Sequence, residues 1–186
     1  FPYFDGGASI SRTVRPYPSW LIFKPAMFLT SFLLIKYWFY NKEIIILLNK
    51  DHKHLKKIIF FGVGSAIALT IHSIFLGIKF DNDLYKLFRR LVMLVFIIFE
   101  VTAQAYLVLT FYSFKDKLKN YINPKVLKAK LILVSILIIV AAICIPIISW
   151  PGDKFKFLKH ALEWDYFLGV ITFYLLTFLM WKKKIN

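Results

Sequence analysis

The stretch from Arg89 to Tyr112, RRLVMLVFIIFEVTAQAYLVLTFY, constrains the fold more than any other. About 24 residues of nearly unbroken apolar chain are enough to cross a ~30 Å hydrocarbon layer as a helix at ~1.5 Å per residue. Arg89 and Arg90 open the run, Glu100 sits near its middle, and Gln104 follows four positions later on the same helical face. A carboxyl group at that depth is costly to expose to lipid. Glu100 is therefore expected to face a protein interior or a wet cavity, with Gln104 beside it.

Four further runs share this character, which predicts an all-α polytopic transmembrane helix bundle. The visible spans cover about 20–40, 58–78, 89–112, 131–150 and 161–181, in a single integral membrane domain over 1–186. Hydrophobic residues make up 59% of the 186, more apolar surface than a soluble domain of that size can enclose, so lipid must cover part of it. Trp20 at one end of the first run and Tyr37, Trp38 and Tyr40 at the other form an interfacial belt. Asn41–Lys57 reads as a basic connector whose IIILL stretch lies flat as an interfacial helix. Gly62, Gly64, Ser65 and Ala66 supply a notch of small residues suited to close helix contact. Residues 1–19, broken by Pro2, Gly6, Gly7, Pro16 and Pro18, read as a loop.

The lysines and arginines orient the chain. Connectors 41–57 and 113–130 with the C-terminal tail hold fourteen of them, and the segments on the opposite side hold ten. That opposite side also carries six acids, Asp5, Asp81, Asp83, Asp153, Glu163 and Asp165. The basic connectors and the C-terminus are expected in the cytoplasm, with residues 1–19 outside, in a plasma membrane or endomembrane. A further helix ahead of Phe1 would bring the count to six.

A net charge of +15 would point a soluble protein toward nucleic acid. Here the lysines gather between apolar runs, so anionic lipid headgroups at the cytoplasmic face are the expected partners, beside proteins within the membrane, and nucleic acid is not. The lone Cys144 excludes an intrachain disulfide. No GxSxG, P-loop, GxGxxG or HExxH sequence occurs. His160 and Glu163 have the i, i+3 spacing of a metal-binding pair, but nothing in the sequence supplies a third or fourth ligand, so no metal or cofactor is expected.

In this topology the polar residues of the spans gather toward the outer face. His72 lies ~9 Å and Glu100 ~16 Å below the outer ends of their spans. With Asp5, Arg89, Arg90, Gln104, His160, Glu163, Trp164 and Asp165 they are the candidates for an outward-opening polar pocket. The bland alternative is a neutral Glu100 acting as glue between helices and a core His72 bonded to backbone. Glu163 or Asp5 is expected to pair with Arg12, Arg15, Arg89 or Arg90 and fix residues 1–19 as a lid.

Two stretches carry a family resemblance. Phe1-Pro2-Tyr3-Phe4-Asp5-Gly6-Gly7, set before an inward span, resembles the P-Y-(I)-S-D-x-G loop after the first helix of DRAM-like membrane proteins, the damage-regulated autophagy modulators and their GPI-lipid-remodelling relatives. Ala161-Leu162-Glu163-Trp164 resembles the A-x-E-W opening of that family's last helix. The chain departs in having one residue fewer between Tyr3 and Asp5, and in carrying Arg89-Arg90 near where relatives often have a histidine. Glu100 has no counterpart in the pattern. The resemblance implies a six-helix protein of lipid handling or membrane organisation without an established catalytic mechanism. The alternatives are a lipid-modifying enzyme using Glu163, Asp5 and His72 or His160, and a small proton- or ion-coupled transporter subunit using Glu100.

Overall fold

Helix is the regular structure of this chain, and its long helices follow the apolar runs. The computed structural model describes residues 2–14, 16–76, 78, 82–149 and 156–182. Two short helices, α1 (Pro2–Asp5) and α2 (Ile10–Thr13), precede five long ones: α3 (Ser19–Leu48), α4 (Leu55–Phe75), α5 (Asp83–Ser113), α6 (Pro124–Ser149) and α7 (Lys156–Met180). Among the described residues, five helical segments are long and apolar enough to cross a membrane: Ser19–Leu48, Leu55–Phe75, Leu87–Ser113, Pro124–Ile143 and Phe157–Met180. Large apolar side chains such as Ile22, Phe60, Ile139 and Phe178 stand exposed along these helices, the surface that lipid would cover.

The helices run past the ends of the apolar runs. The IIILL stretch is not a separate interfacial helix but the closing turns of α3, which continues unbroken through Leu48. Asn41 is buried there and turns its amide back to the Tyr37 carbonyl at 2.8 Å, while Ile45 is fully enclosed. At the other connector, Pro124 starts α6 seven residues before the apolar run, at a position where its missing N–H removes no helix bond. Helix α7 begins at Lys156 rather than at Ala161, so Glu163 lies two turns inside the helix. That places it beyond the first turn, where the dipole favours an acid.

Contacts divide the chain into two compact units, Val14–Thr110 and Phe1–Thr13 with Phe111–Asn186. In the first, α3 and α4 pack along their length, and α5 joins them through Ser65, Gly64 and their partners. The expected notch is real: a side chain at Gly62 would collide with the Trp38 ring, and a Cβ at Gly64 would stand 2.7 Å from Phe99 Cδ2. In the connector between α3 and α4, His52 Nε2 lies 3.1 Å from Thr110 Oγ1. Burial, followed by the nearby His54 and Lys53 charges, holds His52 below the ordinary histidine value. A depressed folded-state pKa means the unfolded chain binds the proton more readily. This contribution is therefore complete above ~6.5 and is lost as pH falls below it. A thermal midpoint followed from pH 7.5 to 5 should drop, and less steeply in His52→Gln.

In the second unit, α6 and α7 pack together, with Leu127, Lys130, Val134 and Leu137 buried along one stripe of α6. The connector from 114 to 123 is tied to the end of α7. Asn123 N–H donates to the Met180 carbonyl and Lys182 N–H to the Tyr121 carbonyl, both at 2.8 Å, around a bridge between Ile122 and Trp181.

Candidate functional site

Polar groups collect at two places, one in each unit. The first lies at the centre of the spans. Leu55–Phe75 has 21 residues and Ser65 is the middle one; Leu87–Ser113 has 27 and Glu100 is the middle one. Both side chains are fully buried, and Ser65 Oγ donates to Glu100 Oε2 at 2.6 Å. From one turn further along α5, Gln104 Nε2 donates to Glu100 Oε1 at 2.8 Å, the i, i+4 contact its spacing allows. Ser65 Oγ is also 2.8 Å from the Gly62 carbonyl. Gln104 Oε1 and the Trp38 indole N–H are enclosed without a hydrogen-bond partner. Toward the end of α4, His72 is half-buried, and its Nδ1 is likewise enclosed without a partner. Arg89 lies over the Tyr85 ring, whose hydroxyl donates to the Phe75 carbonyl at 2.8 Å, and Arg90 is exposed.

The second place is the start of α7. Residues 6–8 lie against it: His160 Nδ1 stands 2.8 Å from the Gly6 carbonyl, and Trp164 Nε1 donates to the Ala8 carbonyl at 2.9 Å. A carbonyl only accepts, so the proton of this bond sits on His160 Nδ1, and in the neutral ring the Nε2 lone pair is left for chemistry. Gly6 is buried at φ +61°, and a Cβ there would run into the Phe157 carbonyl. Only glycine fits both demands. Asp5, exposed, caps its own turn by accepting the Gly7 N–H at 2.8 Å. Glu163 is half-buried and Asp165 exposed on the same helix. Two bonds to backbone carbonyls thus hold the loop against α7; of the arginines expected to pair with Glu163 or Asp5, Arg15 lies outside the described residues.

Gly6→Ala should test this clasp. A left-handed backbone costs a residue with a Cβ about 1–2 kcal/mol before the collision is counted. Protease cutting after Arg12 should accelerate in Gly6→Ala, and cutting as slow as in the parent would show that the clasp does not hold the loop.

The ten sequence-selected residues fall into these two sets. Glu100 and Gln104 are brought into contact, with His72, Arg89 and Arg90 elsewhere in the same unit. His160 and Trp164 are brought onto the loop that Asp5 opens, with Glu163 and Asp165 beside them. Among the described residues, no three His, Cys, Asp or Glu side chains converge as a metal site requires.

The sequence reading missed Lys130, which it counted with the lysines of the basic connector 113–130. It is fully buried in the α6–α7 seam, donating to Thr177 Oγ1 at 2.6 Å with its ammonium 4.0 Å from the centre of the Phe173 ring. The signal was its place in the 127, 130, 134, 137 stripe, the spacing of a packed helix face. Comparison with known proteins finds no matching family model, no matching curated protein and no matching solved structure.

Proposed function

We propose that this multi-pass helical protein handles or organises membrane lipid, holding anionic headgroups at its basic connector. The observation that carries the reading is the folded end of the second unit. The connector tied to α7 presents Lys115, Lys117, Lys119 and Lys182, all exposed, beside the exposed aromatics Tyr121 and Trp181. Asp116 is the one acid between 114 and 130. Aromatic rings that prefer the headgroup level and a cluster of cations at the end of apolar helices match a phosphate-bearing lipid surface in both depth and charge. The loop clasped over α7, in the stretch that resembles DRAM-like proteins, is the second element of the reading and acts as a cover at the start of that helix.

The test is the lipid that stays with the protein. The full chain is extracted from bilayers of equal phosphatidylglycerol and phosphatidylcholine, and its retained lipid is measured by mass spectrometry. Phosphatidylglycerol should be enriched, and Lys115→Gln, Lys117→Gln and Lys119→Gln together should remove most of the enrichment, at ~1 kcal/mol for each lysine near the surface. Retained lipid with the bulk composition would refute the reading.

A further inference from the structure

Two histidines of the connector between α3 and α4 lie against α5. His52 Nε2 is 3.1 Å from Thr110 Oγ1, and one turn earlier on α5 the Tyr106 ring meets the His54 ring with 5.0 Å between their centres. The two imidazoles stand edge to face, 5.5 Å apart. Both are half-buried, and His54 Nδ1 is enclosed without a hydrogen-bond partner.

This arrangement suits neutral rings. A protonated imidazole is a donor at both nitrogens, so a charged His54 in this position would enclose an N–H with nothing to receive it. His54 is also the N-cap residue of α4, where the positive end of the helix dipole opposes a cation. The charged groups facing the pair are Lys53, which lies between them in the chain, and Lys57 in the first turn of α4, whose ammonium is 5.5 Å from the centre of the Tyr106 ring. Tyr106 and Thr110 face it from α5, and Asp51, next to His52 in the chain, is exposed. Burial first, then these neighbouring charges, holds both histidines below the ordinary ~6.5. Rings released to water bind protons more readily than rings held here, so acid drives release.

We propose that His52 and His54 form an acid-released latch: with both rings neutral the connector 49–54 stays on Tyr106 and Thr110, and with both protonated it lifts away as a basic segment that also carries Lys50 and Lys53. This goes beyond the lipid reading and is independent of it, because that reading rests on the connector 114–123 in the other unit.

The experiment reads the mobility of a nitroxide by electron paramagnetic resonance, on the full chain in nanodiscs with Cys144→Ser. One sample carries the label at Lys50→Cys in the connector and a second at Leu109→Cys on α5, both exposed positions. From pH 7.5 to 5 the mobile fraction at position 50 should rise severalfold and reversibly, while position 109 stays as it was. His52→Gln with His54→Gln should hold position 50 as immobile at pH 5 as at 7.5. If that variant is mobile at every pH, Lys53→Gln with Lys57→Gln decides, because removing the repelling charges should move release to lower pH. Unchanged mobility at position 50 in the parent would overturn the latch. So would release of the glutamine pair at the parent's pH, or an unmoved release in the lysine variant. A rise at position 109 in step with position 50 would mean that acid unfolds the unit as a whole, and would overturn it as well.

Discussion

Glu100→Lys is expected to abolish the folded bundle, whereas Glu100→Gln should assemble with a loss of about 1 kcal/mol. Lysine would place an ammonium at the centre of the span, where insertion alone costs ~2.5–3.5 kcal/mol, and its longer stem would collide with the Ser65 turn of α4. Glutamine keeps the shape and an acceptor for Ser65, so what it loses is the second carboxyl oxygen, which accepts from the Gln104 amide. Glu100→Leu should fall between, since it strands the buried Ser65 hydroxyl and Gln104 amide at about 1–3 kcal/mol for each group left unmet. Membrane yield and the monodisperse peak of a fluorescent fusion in size-exclusion chromatography separate the three. If the lysine variant gave the parent peak, Glu100 would not be enclosed.

The second large effect is expected at Gly62. The Trp38 ring rests on this glycine, so Gly62→Val forces the ring off its seat or the helices apart, at about 1–3 kcal/mol or more. Trp38 is fully buried, and it has no adjacent space to move into among close-packed side chains. Trp38→Leu in the same chain should recover part of the loss, a coupling that a double-mutant cycle measures directly. Gly64→Ala should be milder, because its nearest neighbour is the edge of the Phe99 ring, which can swing. Equal losses at the two glycines would contradict this packing.

Much of this architecture is legible in the chain itself. Each apolar run long enough for a bilayer became a helix, because within lipid the backbone must satisfy its own hydrogen bonds and a helix does so locally. The Glu100–Gln104 stripe was legible for the same local reason. What failed to show were the helix ends. Charged residues do not stop a helix; lysine stems lie along apolar surface and carry their ammonium outward, so α3 and α6 run into segments that read as connectors. Lys130 is the extreme case, turned into the seam where composition would place it in water. Tertiary partners were also invisible. Ser65 sits in a run of small residues that reads as a packing notch, and nothing in the sequence pairs it with Glu100. The loop clasp uses the carbonyls of Gly6 and Ala8, groups that every residue carries, so only the donors His160 and Trp164 could have been singled out.

Among the described residues five helices are long and apolar enough to cross a membrane, and we propose that they cross it in turn, which would put the connectors around Lys53 and Lys119 on the same side. Single cysteines placed at Lys53, Thr13 and Lys119, in a Cys144→Ser background, test it in intact cells with a membrane-impermeant thiol reagent. Crossing once between 13 and 53 and twice between 53 and 119 predicts that position 13 labels from outside, while 53 and 119 label only after the membrane is opened. Labelling of 13 and 53 from the same side, or of 53 and 119 from opposite sides, would contradict it.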